Sequence, residues 1–430
     1  MQSKYKQTIF DSGLKLLTVP MDGVSSVTVL AMVGVGSRYE KNSQAGIAHF
    51  LEHMVFKGTA NYPTAMDISS NIDGVGGQYN AFTGKDYTGY YVKVSSKHLE
   101  LGLDIISDML LTPRLRDEDI EREKGVIVEE MNMYEDDPRR KIDDVYDEVI
   151  YGDSDLGRQI IGRKKTVRSF GSSDFRTFLD SWYNLKNVVV VIAGDGKKIK
   201  EEEKKIEGLV EEYFKKGKVR SGNGKVNFSV PTQKKNQTKV VHKTTEQAHF
   251  YLGFPGLKRD DKDKYVLSIL STVLGGNSSA RLFNEIREKR GLAYYAYASS
   301  ASYVDVGSIY AFEGVDPNRI EEAIELTVDE FMSLGAGKIE KMEVDRAKEY
   351  VKGKLVLEWE DSQSVALTYA KKAALTDKVE TPDDILEGIS KVTDEDVKRV
   401  AKKLFVPGRM NLALIGAYRG SERFEKLLRT

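Results

Sequence analysis

Two similar α+β domains, each a largely antiparallel sheet with helices packed on one face, are the fold this 430-residue sequence predicts. Two observations predict it. Residues 174–194 end in Val188-Val189-Val190-Val191-Ile192-Ala193-Gly194, and residues 396–416 end in Asn411-Leu412-Ala413-Leu414-Ile415-Gly416, a parallel at an offset of 222 positions. Each half also runs through the same order of patterns. Residues 28–36 and 250–254 are strand-like and lead into helical stretches, residues 79–91 parallel 295–312, and amphipathic helices follow near 98–111 and 317–334.

The division expected is an N-terminal domain over 1–217, a linker over 218–246 and a C-terminal domain over 247–430. The linker is polar and rich in lysine, glycine, asparagine and threonine, although 226–230 and Val240-Val241 are expected to pair as strands. Before it, residues 197–216 place Ile199, Ile206, Leu209, Val210 and Phe214 under a charged exterior, the pattern of a solvated surface helix.

Composition narrows the function. With 40% hydrophobic content the chain can bury large cores. Its 65 basic and 66 acidic residues are interspersed and leave a net charge of -1, so no global field attracts nucleic acid. It has no cysteine, which excludes disulfides, thiolate metal sites and cysteine nucleophiles. Met1 to Lys6 lacks the apolar core of a secretion signal, and no apolar run is long enough to span a membrane, so a cytoplasmic protein without membrane partners is expected.

Two of the five histidines stand in His49-Phe50-Leu51-Glu52-His53. On a helix, steps of about 100° per residue put His49, Glu52 and His53 on one face. Two imidazoles one turn apart suit a single tetrahedral zinc, and the adjacent glutamate suits a general base for a zinc-bound water. Chance yields this pattern in roughly one such chain in a hundred. The neighbours Ile47, Phe50, Leu51, Met54 and Val55 bury the rest of the helix, so the polar trio faces a cleft.

Catalytic zinc takes three protein ligands and keeps a fourth position open. The candidates lie in 117–135, where Ile120, Ile127, Met131 and Tyr134 define an inward stripe that also holds Glu123 and Glu130. Two carboxylates on an apolar stripe need partners. A cation would satisfy one directly and the other through a hydrogen bond to a ligand, whereas pairing with a lysine or arginine is the alternative.

The run from His49 to Thr59, followed 77 positions after His53 by Glu130, resembles the pitrilysin family of inverzincin metallopeptidases, which includes insulin-degrading enzyme and the mitochondrial processing peptidase β-subunit. That resemblance implies one Zn2+ per chain held by His49, His53 and Glu130, with Glu52 as general base and Glu123 orienting a ligand. Gly77-Gln78-Tyr79-Asn80-Ala81-Phe82-Thr83 is similar to the family's edge strand beside the zinc, which implies that Asn80, Ala81 and Phe82 bind an extended substrate by strand addition. Residues 279–294 resemble the segment whose arginine and tyrosine hold the substrate backbone, here Arg287 and Tyr294. Without that resemblance they read as an amphipathic basic helix ending at Gly291 before a Tyr-rich strand. Asp155-Leu156-Gly157 departs from the Pro-Leu-Gly common in relatives, a difference confined to a loop.

Other motifs carry less. Gly34-Val35-Gly36-Ser37-Arg38-Tyr39 lacks the last glycine of a dinucleotide fingerprint, and no P-loop or Gly-x-Ser-x-Gly occurs. His98, His242 and His249 stand alone and are expected to be structural or on the surface. The function expected is a zinc endopeptidase acting on extended peptides, and the resemblance implies a clamshell of two domains and a homodimer that rebuilds a four-domain chamber. A noncatalytic peptide-binding or scaffold subunit is the rival expectation, and a zinc-dependent amidase is a third.

Overall fold

Valine- and isoleucine-rich runs flanked by glycine or polar turns build two sheets in the computed structural model, which describes residues 5–215, 217, 226, 228–376 and 378–428. The chain forms two compact units. The first comprises residues 1–131, 159–227 and 356–385, and the second 132–158, 228–355 and 386–430.

In the first unit, strands β1 (Lys6–Ile9), β2 (Lys15–Met21), β3 (Ser26–Val33), β4 (Gln78–Thr83), β5 (Thr88–Ser95) and β6 (Val188–Asp195) form one sheet in the order β1-β2-β6-β3-β5-β4. Only β2 and β6 pair in parallel. The unbroken apolar run of β6 fits its central place, buried on both faces. Leu17, Val19, Leu30, Met32, Val189 and Val191 face Val365, Ala366, Tyr369, Ala370 and Ala373 of the helix Ser362–Leu375. Alternate residues such as Val29 and Val92 face the helix Leu99–Leu111, where a Cβ on Gly102 would lie 3.3 Å from Val29 Cγ2.

The second unit repeats this plan. Strands β7 (Gln237–His242), β8 (Ala248–Pro255), β9 (Ala293–Ser302), β10 (Gly307–Val315) and β11 (Asn411–Gly416) follow the order β7-β11-β8-β10-β9, again with one parallel pair, β7 with β11. The duplication expected from the sequence is thus a duplication of sheet topology. Ile142, Val145, Tyr146 and Val149 of the helix Pro138–Tyr151 pack on Ala413 and Ile415. Phe254 points to the opposite face, 5.2 Å from both Phe331 and Phe405.

To the expected layer of helices on one face the structure therefore adds a reciprocal loan. The first unit's second face is covered by 362–375, from the late part of the chain, and the second unit's by 138–151, from the early part. Three local features differ from expectation. Residues 226 and 228–230 lie outside strands, and β7 pairs with β11 instead, in a six-residue ladder beside an apolar strand, whereas the shorter segment runs into Pro231, which has no amide to donate. The stretch 218–225 lies outside the described residues. The surface helix splits into Gly196–Glu201 and Glu203–Phe214 at Glu202, and 283–288 form a π-helix that ends before Gly291, at φ 58°.

Candidate metal centre

Gly46 opens the helix Ile47–Met54 at φ 96°, and a Cβ there would lie 2.6 Å from the Ile161 carbonyl oxygen, so glycine is required. The buried Glu40 carboxylate accepts 2.9 Å hydrogen bonds from both the Gly46 and Ala48 amides, which fixes the first turn and places a negative charge at its positive end. Ile47, Phe50, Leu51 and Met54 are buried, with Phe50 edge-on to Phe175 at 4.9 Å. This anchoring turns His49, Glu52 and His53 to the other face.

The helix Asp117–Asp136 supplies the facing carboxylates. Ile120, Ile127 and Met131 are buried with Glu123, and Glu130 lies one side of the same stripe. Glu130 Oε2 is 3.7 Å from His49 Nε2 and 3.6 Å from His53 Nε2. The ligand atoms of His49, His53 and Glu130 all lie within 4.8 Å of one another, and among the described residues this is the group able to hold a metal ion. Distances of 3.6–3.7 Å are too long for hydrogen bonds. They are close to the edge of a zinc tetrahedron, ~3.3–3.4 Å for bonds of ~2.0–2.1 Å. The donor set of two imidazoles and one carboxylate leaves a fourth position, so the residues present fit zinc.

Electrostatics prepares these groups. Burial, with His53 as a second cause, pulls the His49 imidazole down to about 3, so it is neutral and available as a ligand. Its Nδ1 has no hydrogen-bond partner among the described residues. Burial opposes charge on His53, but the hydrogen bond to Glu123 and the nearby Glu130, Glu123 and Glu52 carboxylates outweigh it and raise its pKa. Glu123 Oε1 lies 2.9 Å from His53 Nδ1. An ionised carboxylate only accepts, so Nδ1 carries a proton, and in the neutral ring Nε2 presents its lone pair on the side of Glu130. Burial would raise the Glu123 carboxyl too, yet hydrogen bonds to His53 and Lys57 outweigh that effect and hold it below the usual range.

Glu52 is raised by burial, only partly countered by Thr83, whose Oγ1 donates a 2.6 Å hydrogen bond to Oε2. Thr83 ends β4, the edge strand of its sheet, whose paired neighbour is β5. Along β4, Asn80 is exposed, Ala81 is buried opposite Tyr90, and Phe82 packs edge-on to Tyr87 at 6.0 Å. In the second unit, the Arg287 guanidinium sits 5.4 Å from the ring centroid of Tyr294, which is 71% exposed, and 4.8 Å from that of Phe283. The structure thus gathers His49, Glu52, His53, Glu123 and Glu130 in one place, and pairs Arg287 with Tyr294.

Sequence reasoning missed Glu40, Lys57 and Thr83. Thr83 stood within the recognised edge-strand segment and Lys57 one helical turn beyond His53, but no one-dimensional pattern ties either to its partner. The histidines set aside are not ligands in this group: His249 is buried with Nδ1 2.7 Å from Tyr295 Oη, and His242 Nδ1 lies 3.2 Å from the Tyr418 carbonyl oxygen.

Residues 17–164 match the family model described as insulinase (peptidase family M16), and residues 169–351 match the M16 inactive domain. The chain belongs to peptidase family M16. Over 420 residues it is 34% identical to an uncharacterized zinc protease of Streptomyces coelicolor, covering 96% of this chain and 89% of the relative. It is 35% identical over 402 residues to the uncharacterized zinc protease YmxG of Bacillus subtilis, covering 93% and 95%. The fold is that of a protease from Helicobacter pylori, with a TM-score of 0.89 at 24% identity over 96% of this chain and 99% of that one. A peptidase M16 inactive domain from Pseudomonas fluorescens matches with a TM-score of 0.88 at 18% identity, over 97% and 98%. Among the described residues, no helix of this M16 chain is long and apolar enough to cross a membrane.

Proposed function

We propose that this M16 chain is a zinc-dependent endopeptidase that hydrolyses extended peptides, with one zinc held by His49, His53 and Glu130. The observation that carries this reading is the approach of Glu130 Oε2 to both imidazole Nε2 atoms, at 3.7 and 3.6 Å, on the helix that also bears Glu52. Zinc at such a site polarises a carbonyl and lowers the pKa of a coordinated water towards neutrality.

The chain's own groups do the rest. Thr83 occupies Glu52 Oε2, leaving Oε1 to take the proton of the attacking water and return it to the leaving amine. Burial favours a carboxyl that can hold that proton between the two transfers. Strand β4 pairs only with β5 among the described residues, so its outer edge would take an extended peptide, whose backbone would pair beside Asn80, Ala81 and Phe82 irrespective of its side chains. Arg287 and Tyr294 would hold the substrate backbone, and a homodimer would enclose the peptide.

A quenched fluorescent peptide tests the reading. Cleavage should need zinc, stop with chelator, and fall by at least about 1,000-fold in Glu52→Gln with zinc content unchanged. The match of residues 169–351 to the M16 inactive domain favours one second reading, a noncatalytic peptide-binding subunit. That reading predicts peptide binding without turnover at full zinc occupancy.

A further inference from the structure

Lys57 carries a role that the zinc motif does not specify. The helix Ile47–Met54 tightens into a 3-10 turn over Val55–Lys57 and stops at Gly58, φ 133°, where a Cβ would lie 2.3 Å from the Pro63 carbonyl oxygen. This stop fixes where the Lys57 side chain leaves the backbone. Its Nζ lies 2.7 Å from Glu123 Oε2, while Glu123 Oε1 lies 2.9 Å from His53 Nδ1. The Glu123 side chain is 4% exposed and that of Lys57 is 32% exposed.

We propose that Lys57 is a positioning residue for the metal centre: by holding one oxygen of Glu123 it commits the other to His53 and so fixes the angle at which His53 presents Nε2. The argument is one of degrees of freedom. An imidazole turns about a broad, roughly two-fold torsion, and a carboxylate turns as readily. One hydrogen bond between the two lets them turn together, whereas a carboxylate clamped at its far oxygen cannot follow. The clamp is also electrostatic. A buried carboxylate without a cation is costly, and Glu123 deprived of Lys57 would swing towards water and release His53. Partners one step removed from a metal typically contribute 10–100-fold to its affinity.

This inference rests on zinc binding at His49, His53 and Glu130, and its test separates the two. The metal alone is the probe. Zinc affinity of the metal-stripped full-length chain is measured by competition with a chromophoric chelator, and the visible absorption of the cobalt(II) form reports ligand geometry. Lys57→Met should weaken zinc about tenfold and shift the cobalt bands, Lys57→Gln should do the same, and Lys57→Arg should stay within about threefold of wild type. Glu123→Gln should weaken zinc at least as much, and adding Lys57→Met to it should cause no further loss, because both act through one chain of contacts. Thermal melts of the metal-free variants check folding, and an equal zinc defect in Met and Gln variants of wild-type melting temperature excludes a general loss of structure. Unchanged affinity in Lys57→Met, or multiplying losses in the double variant, would overturn the role of Lys57 alone. If the wild-type chain binds no zinc, the reading beneath it fails instead.

Discussion

Thr83 Oγ1 donates to Glu52 Oε2 at 2.6 Å, so the final residue of the edge strand touches the carboxylate proposed as the base. Strand and base are therefore one mechanical piece. Thr83→Val should lower kcat about tenfold with zinc content unchanged, and Thr83→Ser should restore most of it. Steady-state kinetics with metal analysis checks this; full activity in the valine variant would leave the contact without a catalytic part.

Ligand removal should differ from base removal. His53→Ala and Glu130→Ala should each lose zinc by orders of magnitude, because three ligands become two, whereas Glu52→Gln should retain it. Dialysis against a weak chelator followed by metal analysis distinguishes them. A Glu130→Ala chain that keeps stoichiometric zinc would remove that carboxylate from the ligand set.

Glu40 should matter for the metal helix without touching the metal. Its two 2.9 Å hydrogen bonds to Gly46 and Ala48 are charge-assisted and buried. Glu40→Ala leaves both amides unanswered and should cost about 2–3 kcal/mol in urea unfolding, with a weaker zinc site as a secondary effect. A variant as stable as the wild type would show that water replaces the carboxylate.

Glu313 predicts a pH dependence unrelated to catalysis. It is fully buried on β10, accepts a 2.7 Å hydrogen bond from Thr327 Oγ1, and its Oε2 has no partner among the described residues. Burial pushes its carboxyl from the ordinary 4.5 up to about 8, only partly countered by Thr327. The unfolded chain releases this proton near 4.5 and the folded chain near 8, so the stabilising effect is complete below 4.5 and is lost as pH rises to 8. The loss is roughly 5 kcal/mol across that window. Glu313→Gln should flatten the change in urea midpoint between pH 5 and pH 8; an unaltered slope would count against the assignment.

How much of this was legible in sequence follows from the range of each interaction. The His49–Glu52–His53 face and the Glu123–Glu130 stripe are local periodicities, and the structure brings those faces together. The repeat at 188–194 and 411–416 marked the two sheets, because each β-strand carries its own apolar run. Three features were not legible. Glu40 reaches Gly46 and Ala48 from outside the helix, Thr83 reaches Glu52 from another strand, and Lys57 reaches Glu123 across two helices. Such contacts depend on tertiary placement and leave no period. The helices 138–151 and 362–375 were hidden for a related reason, since an amphipathic pattern states that a face will be covered but not by which sheet.

That loan sets an order on how the molecule is made. All three proposed zinc ligands are synthesised by residue 130, yet the sheet beside them waits for residues 362–375 before its second side is sealed. A nascent chain therefore carries a complete metal motif on an unfinished scaffold. The proposed activity thus waits on a helix made more than two hundred residues after the last ligand.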